Sequence, residues 1–244
     1  MNRNAVQLAI ETTGRNGSIA LMAGESVLRQ TNLDRSQRTA AMLAPAIDET
    51  IQWSREHDHV IQFVSVANGP GSFTGLRIGV TTAKTLAYAL QLPLIGVDSL
   101  AAIAAAAYHT SQLTGDHTPL ESLLVAVDAY RGQVFAGEFP RHALLPSLDC
   151  ITEHWSPYFE TVSVITTPQL QDQLASRPNT QAITGDKKPL GDHADAARPR
   201  QCDAIGVGLL ALRAALQGLS IDPLLMVPRY MKVSAAEENA AKKK

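Results

Sequence analysis

The sequence predicts an α/β fold: a mixed β-sheet with helices packed over it, organised as two lobes of which the second is smaller. Three observations carry this. Over the first hundred residues, short apolar and β-branched runs alternate with stretches of helical period. The first three runs are separated only by glycine-containing turns, as in an antiparallel meander, whereas helices separate the later ones, as in parallel strands joined by crossovers. The chain has 244 residues, 45% of them hydrophobic, enough for one large domain or two small lobes each with a core.

The elements are taken in chain order. VQLAIET (Val6–Thr12) is an apolar run ending in polar residues and reads as the first strand. GSIALMAG and ESVLRQTNL are the second and third, set off by Gly14, Gly17 and Gly24. In SQRTAAMLAPAIDETIQWSRE, Leu43, Ile47 and Ile51 recur every four residues and share a helix face. Pro45 predicts a kink there, or a helix that starts only near Ala44. VIQFVSVA (Val60–Ala67) is a buried strand. NGPGSFTGLRIGVTTAK (68–84) is a glycine-rich turn opening a helix in which Leu76, Val80, Ala83, Ala87 and Leu90 recur at helical spacing. LPLIGVDS (Leu92–Ser99) is the fifth strand. The resulting β-β-β-α-β-α-β order over 1–100 resembles the ribonuclease-H-like half of the actin and sugar-kinase fold.

A second lobe is expected over 101–232. AAIAAAAYHTSQL is a helix by propensity. SLLVAVDAYRGQVFAGEF reads as strand, turn, strand around Ala129–Gly132, TVSVITT and TQAITG as further strands, and TPQLQDQLA as a short helix capped by Thr167 with Pro168 at its first position. Residues 185–203 read as loop, AIGVGLLALRAALQG as a last helix stopped by Gly218, and 233–244, ending EENAAKKK, as a disordered tail.

Composition narrows function. A net charge of −2 gives no reason to expect a strongly basic nucleic-acid surface. Cys150 and Cys202 form no CxxC pair, which points to a reducing compartment and against a disulfide. No signal-peptide pattern and no membrane-length apolar run is read, so a cytoplasmic protein is expected. His57, His59, His109, His117, His142, His154 and His193 are scattered, with none at ligand spacing, and no Gly-x-Ser-x-Gly elbow is present.

The glycine turn is the main candidate for a site. A helix N-terminus after glycines is an anion cradle, but a Walker loop needs Gly-Lys-Ser/Thr, and Phe-Thr-Gly-Leu stands there instead. Lys84 lies too far along the helix to fold back. A tight strand-to-helix joint is therefore favoured. Gly79, Ala83 and Ala87 form a smooth strip that lets another helix approach closely, either a partner's helix or the protein's own sheet. Glu11, Thr12 and Thr13, ending the first strand, stand where actin-like ATPases hold magnesium and phosphate; a plain hairpin turn is the preferred reading of the residues themselves. Asp128, beside Tyr130 and Arg131, is read as a turn residue, with a place in the cleft between lobes as the alternative.

NGPGSFTGLRIGVTTAKTLAYALQLPLIGVDSL, together with LAIETT and VAVDAYRGQVFAGEF, resembles the TsaB (YeaZ) family of tRNA threonylcarbamoyladenosine biosynthesis. The likeness covers about the first 140 residues, and PLLMVPRYMK is similar to the family's Pro-x-Tyr-Leu-Arg ending, with Met231 and Lys232 in the last two places. The resemblance implies an actin-like fold related to the transferase TsaD. Where that transferase carries two metal-holding histidines four apart, this chain has Ser99 and Ile103. Where it has a Ser-Gly-Gly phosphate turn, this chain has Asp128–Gly132 with bulky Tyr130 and Arg131. The resemblance thereby implies a non-catalytic partner and activator of TsaD, with no metal and no cofactor of its own. Weak ATP or ADP at the complex interface is the only nucleotide expectation. The implied heterodimer face is helices 39–55 and 74–90, carried by Leu43, Ile47, Ile51, Leu76, Gly79, Val80, Ala83 and Ala87. A homodimer when alone, the pathway ATPase TsaE as a further partner, and tRNA contact only through the complex complete the expectation. An independent ATPase or acyltransferase using Glu11, and a tRNA-binding module, are its rivals.

Overall fold

A computed structural model describes residues 1–14, 16–33, 39–113, 121–176, 181–183, 188–193 and 200–232. The first sheet is built from β1 (Val6–Glu11), β2 (Ser18–Ala23), β3 (Ser26–Asn32), β4 (Phe63–Ala67) and β5 (Leu94–Val97). Its order is β3-β2-β1-β4-β5, antiparallel among the first three and parallel from β1 through β5. The meander and crossovers read from the sequence are those observed. A second sheet comprises β6 (Ser122–Asp128), β7 (Gln133–Pro140), β8 (Ser163–Thr166) and β9 (Gln181–Ile183), in the order β8-β7-β6-β9 with β6 and β9 parallel. Its described strands repeat the order of the first four strands of the first sheet.

Helices α1 (Thr39–Glu56) and α2 (Phe73–Leu90) cover one face of the first sheet, burying Leu43, Ile47, Val80, Ala83 and Ala87 against Leu8, Ile10, Val64 and Val66. On the other side α3 (Ser99–Leu113) and α6 (Ala204–Leu216) build a large apolar cluster between the sheets, which also takes in Leu144 of the short α4 (Arg141–Leu144). Helix α5 (Thr167–Ser176) packs against the second sheet through Leu170 and Leu174. Strands β1 and β2 are thus apolar on both sides, which is why their sequences run hydrophobic instead of alternating. Gln7 is the polar exception: its Nε2 donates to Gly208 O (2.8 Å) and its Oε1 accepts from Ser65 Oγ (2.8 Å), so the buried amide is satisfied.

Four features depart from the sequence reading. Helix α1 starts at Thr39 and runs through Pro45, which lies on its exposed face, so the start near Ala44 is corrected. Helix α4 is an addition, a single turn too short to show a period. Part of the expected 185–203 loop is a 3-10 segment, Lys188–His193, that seats Leu190 in the second lobe's core. Most consequentially, α6 packs on β1, β2, β4 and β5, and Ile221 bridges to Leu94, so the chain returns to the first sheet after building the second. The expected 101–232 unit is therefore not one contiguous body. Gly218, at φ +73° just after α6, stops that helix as the sequence predicts. The 233–244 tail lies outside the described residues.

Candidate functional site

The glycine turn joins β4 to α2 across the connection that leaves β1. Ser72 caps α2, its Oγ accepting from Gly75 N–H (3.3 Å), and its own N–H donates to Thr13 O (2.9 Å). A β-carbon on Gly71 would lie 2.6 Å from Thr13 Cβ. On Gly75 it would overlap Thr12 O, and on Gly79, Thr12 Oγ1. Thr12 Oγ1 in turn donates to Gly75 O (2.8 Å). Three glycines thus let α2 lie directly on residues 12–13. The N–H of Gly69, whose peptide to Pro70 is cis, goes to Ser99 Oγ (3.2 Å). The turn is a tight joint, and several of the donors an anion would need are used inside the chain.

Glu11 ends β1 fully buried. Its Oε1 accepts from the N–H and Oγ1 of Thr13, the latter at 2.6 Å, and from Gly14 N–H (3.0 Å), while Oε2 has no hydrogen-bond partner among the described residues. Burial raises its pKa to about 7 despite those bonds, with Asp203 adding to the rise. Buried Cys202 lies beside it, its thiol held well above the usual value by burial and by Glu11. Thr12 and Thr13 are buried as well; one holds α2, the other holds Glu11. Glu11, Thr12 and Thr13 are brought together and buried. Among the described residues no group of three or more His, Cys, Asp or Glu is placed to hold a metal.

Ser99 and Ile103, which the resemblance sets against metal-holding histidines, have structural roles: Ser99 accepts from Gly69, and Ile103 lies in the apolar core. Before them, Asp98 caps α3 by accepting from Leu100 N–H (2.8 Å) and Ala101 N–H (3.0 Å). Its other oxygen meets Arg229 Nη1 at 3.1 Å. Burial pushes Asp98 up to about 6, and the α3 amides and Arg229 hold it from rising further. Arg229 was missed by sequence reasoning, which saw only the family-like ending around it; nothing local marks a partner 131 residues away. Its guanidinium also lies 4.6 Å from the centre of the Tyr158 ring.

The turn after β6 has three successive left-handed residues, Tyr130 (φ 62°), Arg131 (φ 58°) and Gly132 (φ 73°). Asp128 Oδ1 accepts from Tyr130 N–H (2.7 Å), so Asp128 is a turn residue as expected from the sequence.

The helix residues expected at a partner face are placed inside. Leu43, Ile47, Leu76, Gly79, Val80, Ala83 and Ala87 are buried, and Ile51 is half-buried. This corrects the reading of the Gly79/Ala83/Ala87 strip as an outward surface: its smoothness serves α2 against its own sheet and the Thr12 turn. The outward faces carry Ala44, Asp48 and Gln52 on α1, and Arg77, Thr81 and Tyr88 on α2.

The repeated sheet order and the helical layers define a two-lobed, actin-like α/β protein. The chain is 30% identical to tRNA threonylcarbamoyladenosine biosynthesis protein TsaB of Bacillus subtilis over 94% of its length and 95% of that protein's. It is 33% identical to the TsaB of Escherichia coli over 55% of this chain and 54% of that one. It belongs to the TsaB (YeaZ) family. The TsaD family model, tRNA N6-adenosine threonylcarbamoyltransferase, matches residues 34–154. A crystal structure from Pseudomonas aeruginosa, described as similar to peptidase YEAZ, superposes with a TM-score of 0.69 at 20% identity, covering 93% of this chain and 100% of that one, which establishes the shared fold.

Proposed function

We propose that this protein is a non-catalytic partner that activates a TsaD-like transferase in threonylcarbamoylation of the adenosine beside the tRNA anticodon, acting in the cytoplasm. The observation that carries the reading is the pair Ser99 and Ile103, tied into a backbone contact and the core where metal-holding histidines would be needed. Kinship with TsaB, and the match of a transferase family model to 34–154, support a pairing between related chains. The outward faces of α1 and α2 are the proposed meeting surface, with a homodimer as the state of the isolated chain and a TsaE-like ATPase joining the pair. tRNA is met only through the complex, and any ATP or ADP binds weakly at its interface.

The test is reconstitution. TsaD with tRNA and the activated threonylcarbamoyl donor should turn over substantially only when this chain is added, and the chain alone should transfer nothing. Thr81→Arg with Tyr88→Asp, both on exposed positions, should abolish co-purification while leaving the far-UV circular dichroism unchanged. Full TsaD activity without the chain, or transfer by the chain alone, would sink the reading. The unpartnered Glu11 oxygen gives the rival ATPase its one foothold; calorimetric binding of Mg-ATP with turnover by the isolated chain would favour it.

A further inference from the structure

We propose that residues 226–232 form an interlobe latch, a built-in strap that fixes the second lobe against the first. The strap begins where Met226 is buried in the first-lobe core. Lys84 Nζ holds it there, donating to Met226 O (2.8 Å) and Leu224 O (3.4 Å). At its middle, Arg229 N–H donates to Asn68 O (2.7 Å), and a side chain on Gly69 would overlap Arg229 O. The Arg229 guanidinium pairs with fully buried Asp98 and covers Tyr158, which belongs to the segment between β7 and β8. One residue on, the Tyr230 ring packs 4.6 Å from that of Phe73, and its hydroxyl accepts from Arg77 Nε (3.1 Å). The strap then crosses to the second lobe, where Lys232 Nζ donates to Ala129 O (2.8 Å).

The contact at that end is placed to matter. Ala129 precedes the three left-handed residues, a conformation that disfavours side chains such as Tyr130 and Arg131 and persists where neighbours brace it. The braces are Lys232 on Ala129 O, Asp128 on Tyr130 N–H, and Gly132 O, which accepts from Thr167 N–H (2.9 Å). One short segment therefore grips the glycine joint of the first lobe and a strained turn of the second, so a perturbation at one end is felt at the other. The latch stands independently of the TsaD reading.

Hydrogen exchange read by mass spectrometry on the full chain tests it. Lys232→Ala should speed exchange at the Gln133 and Thr167 amides about tenfold or more, while β1 and β4 keep their protection. Asp98→Asn combined with Arg229→Gln, chosen so that no buried charge is left unpaired, alters the middle of the strap, its Asp98 pair and its cover on Tyr158, and leaves the Lys232 contact with Ala129 in place. It should nevertheless speed exchange at the same second-lobe amides. If the double variant loosens residues 68–70 and 98–101 alone, or if Lys232→Ala changes nothing at the turn, the strap is a local fastening and the latch is refuted.

Discussion

Gly79→Ala separates two uses of the small-residue strip on α2. At an exposed helix position this change gains about 1 kcal/mol, because glycine is the weaker helix former. Here the new methyl would overlap Thr12 Oγ1, which donates to Gly75 O at 2.8 Å. Relieving the overlap means rotating Thr12 away, losing a hydrogen bond worth about 1 kcal/mol, or lifting α2 from β1, an overpacking that costs about 1–3 kcal/mol. Set against the propensity gain of about 1 kcal/mol, the net expectation is a loss of up to about 2 kcal/mol. Urea and thermal unfolding of the purified chain read it directly, with Tm falling by about 2–4 °C for each kcal/mol. Thr12→Ala removes the obstructing oxygen, so the double variant Thr12→Ala/Gly79→Ala should recover most of the loss, a coupling of about 1–3 kcal/mol. A Gly79→Ala protein more stable than the parent, or a double variant that is simply additive, would refute the close packing of α2 on Thr12.

Two further outcomes arise from buried charges. The folded-state pKa of Glu11 is raised from 4.5 to about 7, so between those values the folded protein keeps a proton that the unfolded chain has released. The stability is fully present below pH 4.5 and about 3 kcal/mol of it is lost as pH rises through 7; Asp98, raised from 3.8 to about 6, adds a loss of the same sign at lower pH. Glu11→Gln should flatten the fall in unfolding free energy measured between about pH 5 and 8, and an unchanged slope would exclude Glu11 as its source. Separately, Arg213 on α6 is buried and its Nη2 meets Glu25 Oε1 at 2.9 Å. Glu25 is half exposed and Arg213 also donates to Pro146 O and Leu209 O, so Glu25→Ala should cost about 1 kcal/mol by urea unfolding; Arg213→Met, which also strips those two carbonyls of their donor, should cost more, and the reverse order would contradict this account.

How much of this was legible depended on the range of the interactions involved. The five strands and two helices of the first lobe announce themselves through local periodicity, because a strand buried on both faces must run apolar and a helix packed on a sheet must repeat its apolar residues every three or four. Glycine's meaning was half readable: Gly71, Gly75 and Gly79 signalled close approach, and only the fold revealed that Thr12 and Thr13 are what approaches them. Ser99 and Ile103 could be compared with a relative's histidines from sequence because that comparison needs identity and spacing alone. Arg229 could not be assigned, since Asp98, Tyr158 and Asn68 are spread over the whole chain and meet only when the strap folds back. The same limit explains the α2 strip: period fixes which residues share a face, but not what that face touches. The sequence by itself determined the elements and their order, which are local properties of a polymer, and placed serine and isoleucine at positions 99 and 103. The tertiary structure alone decided which small residues are buried, which acid is desolvated and which distant cation answers it, because burial and pairing exist only once remote segments share space.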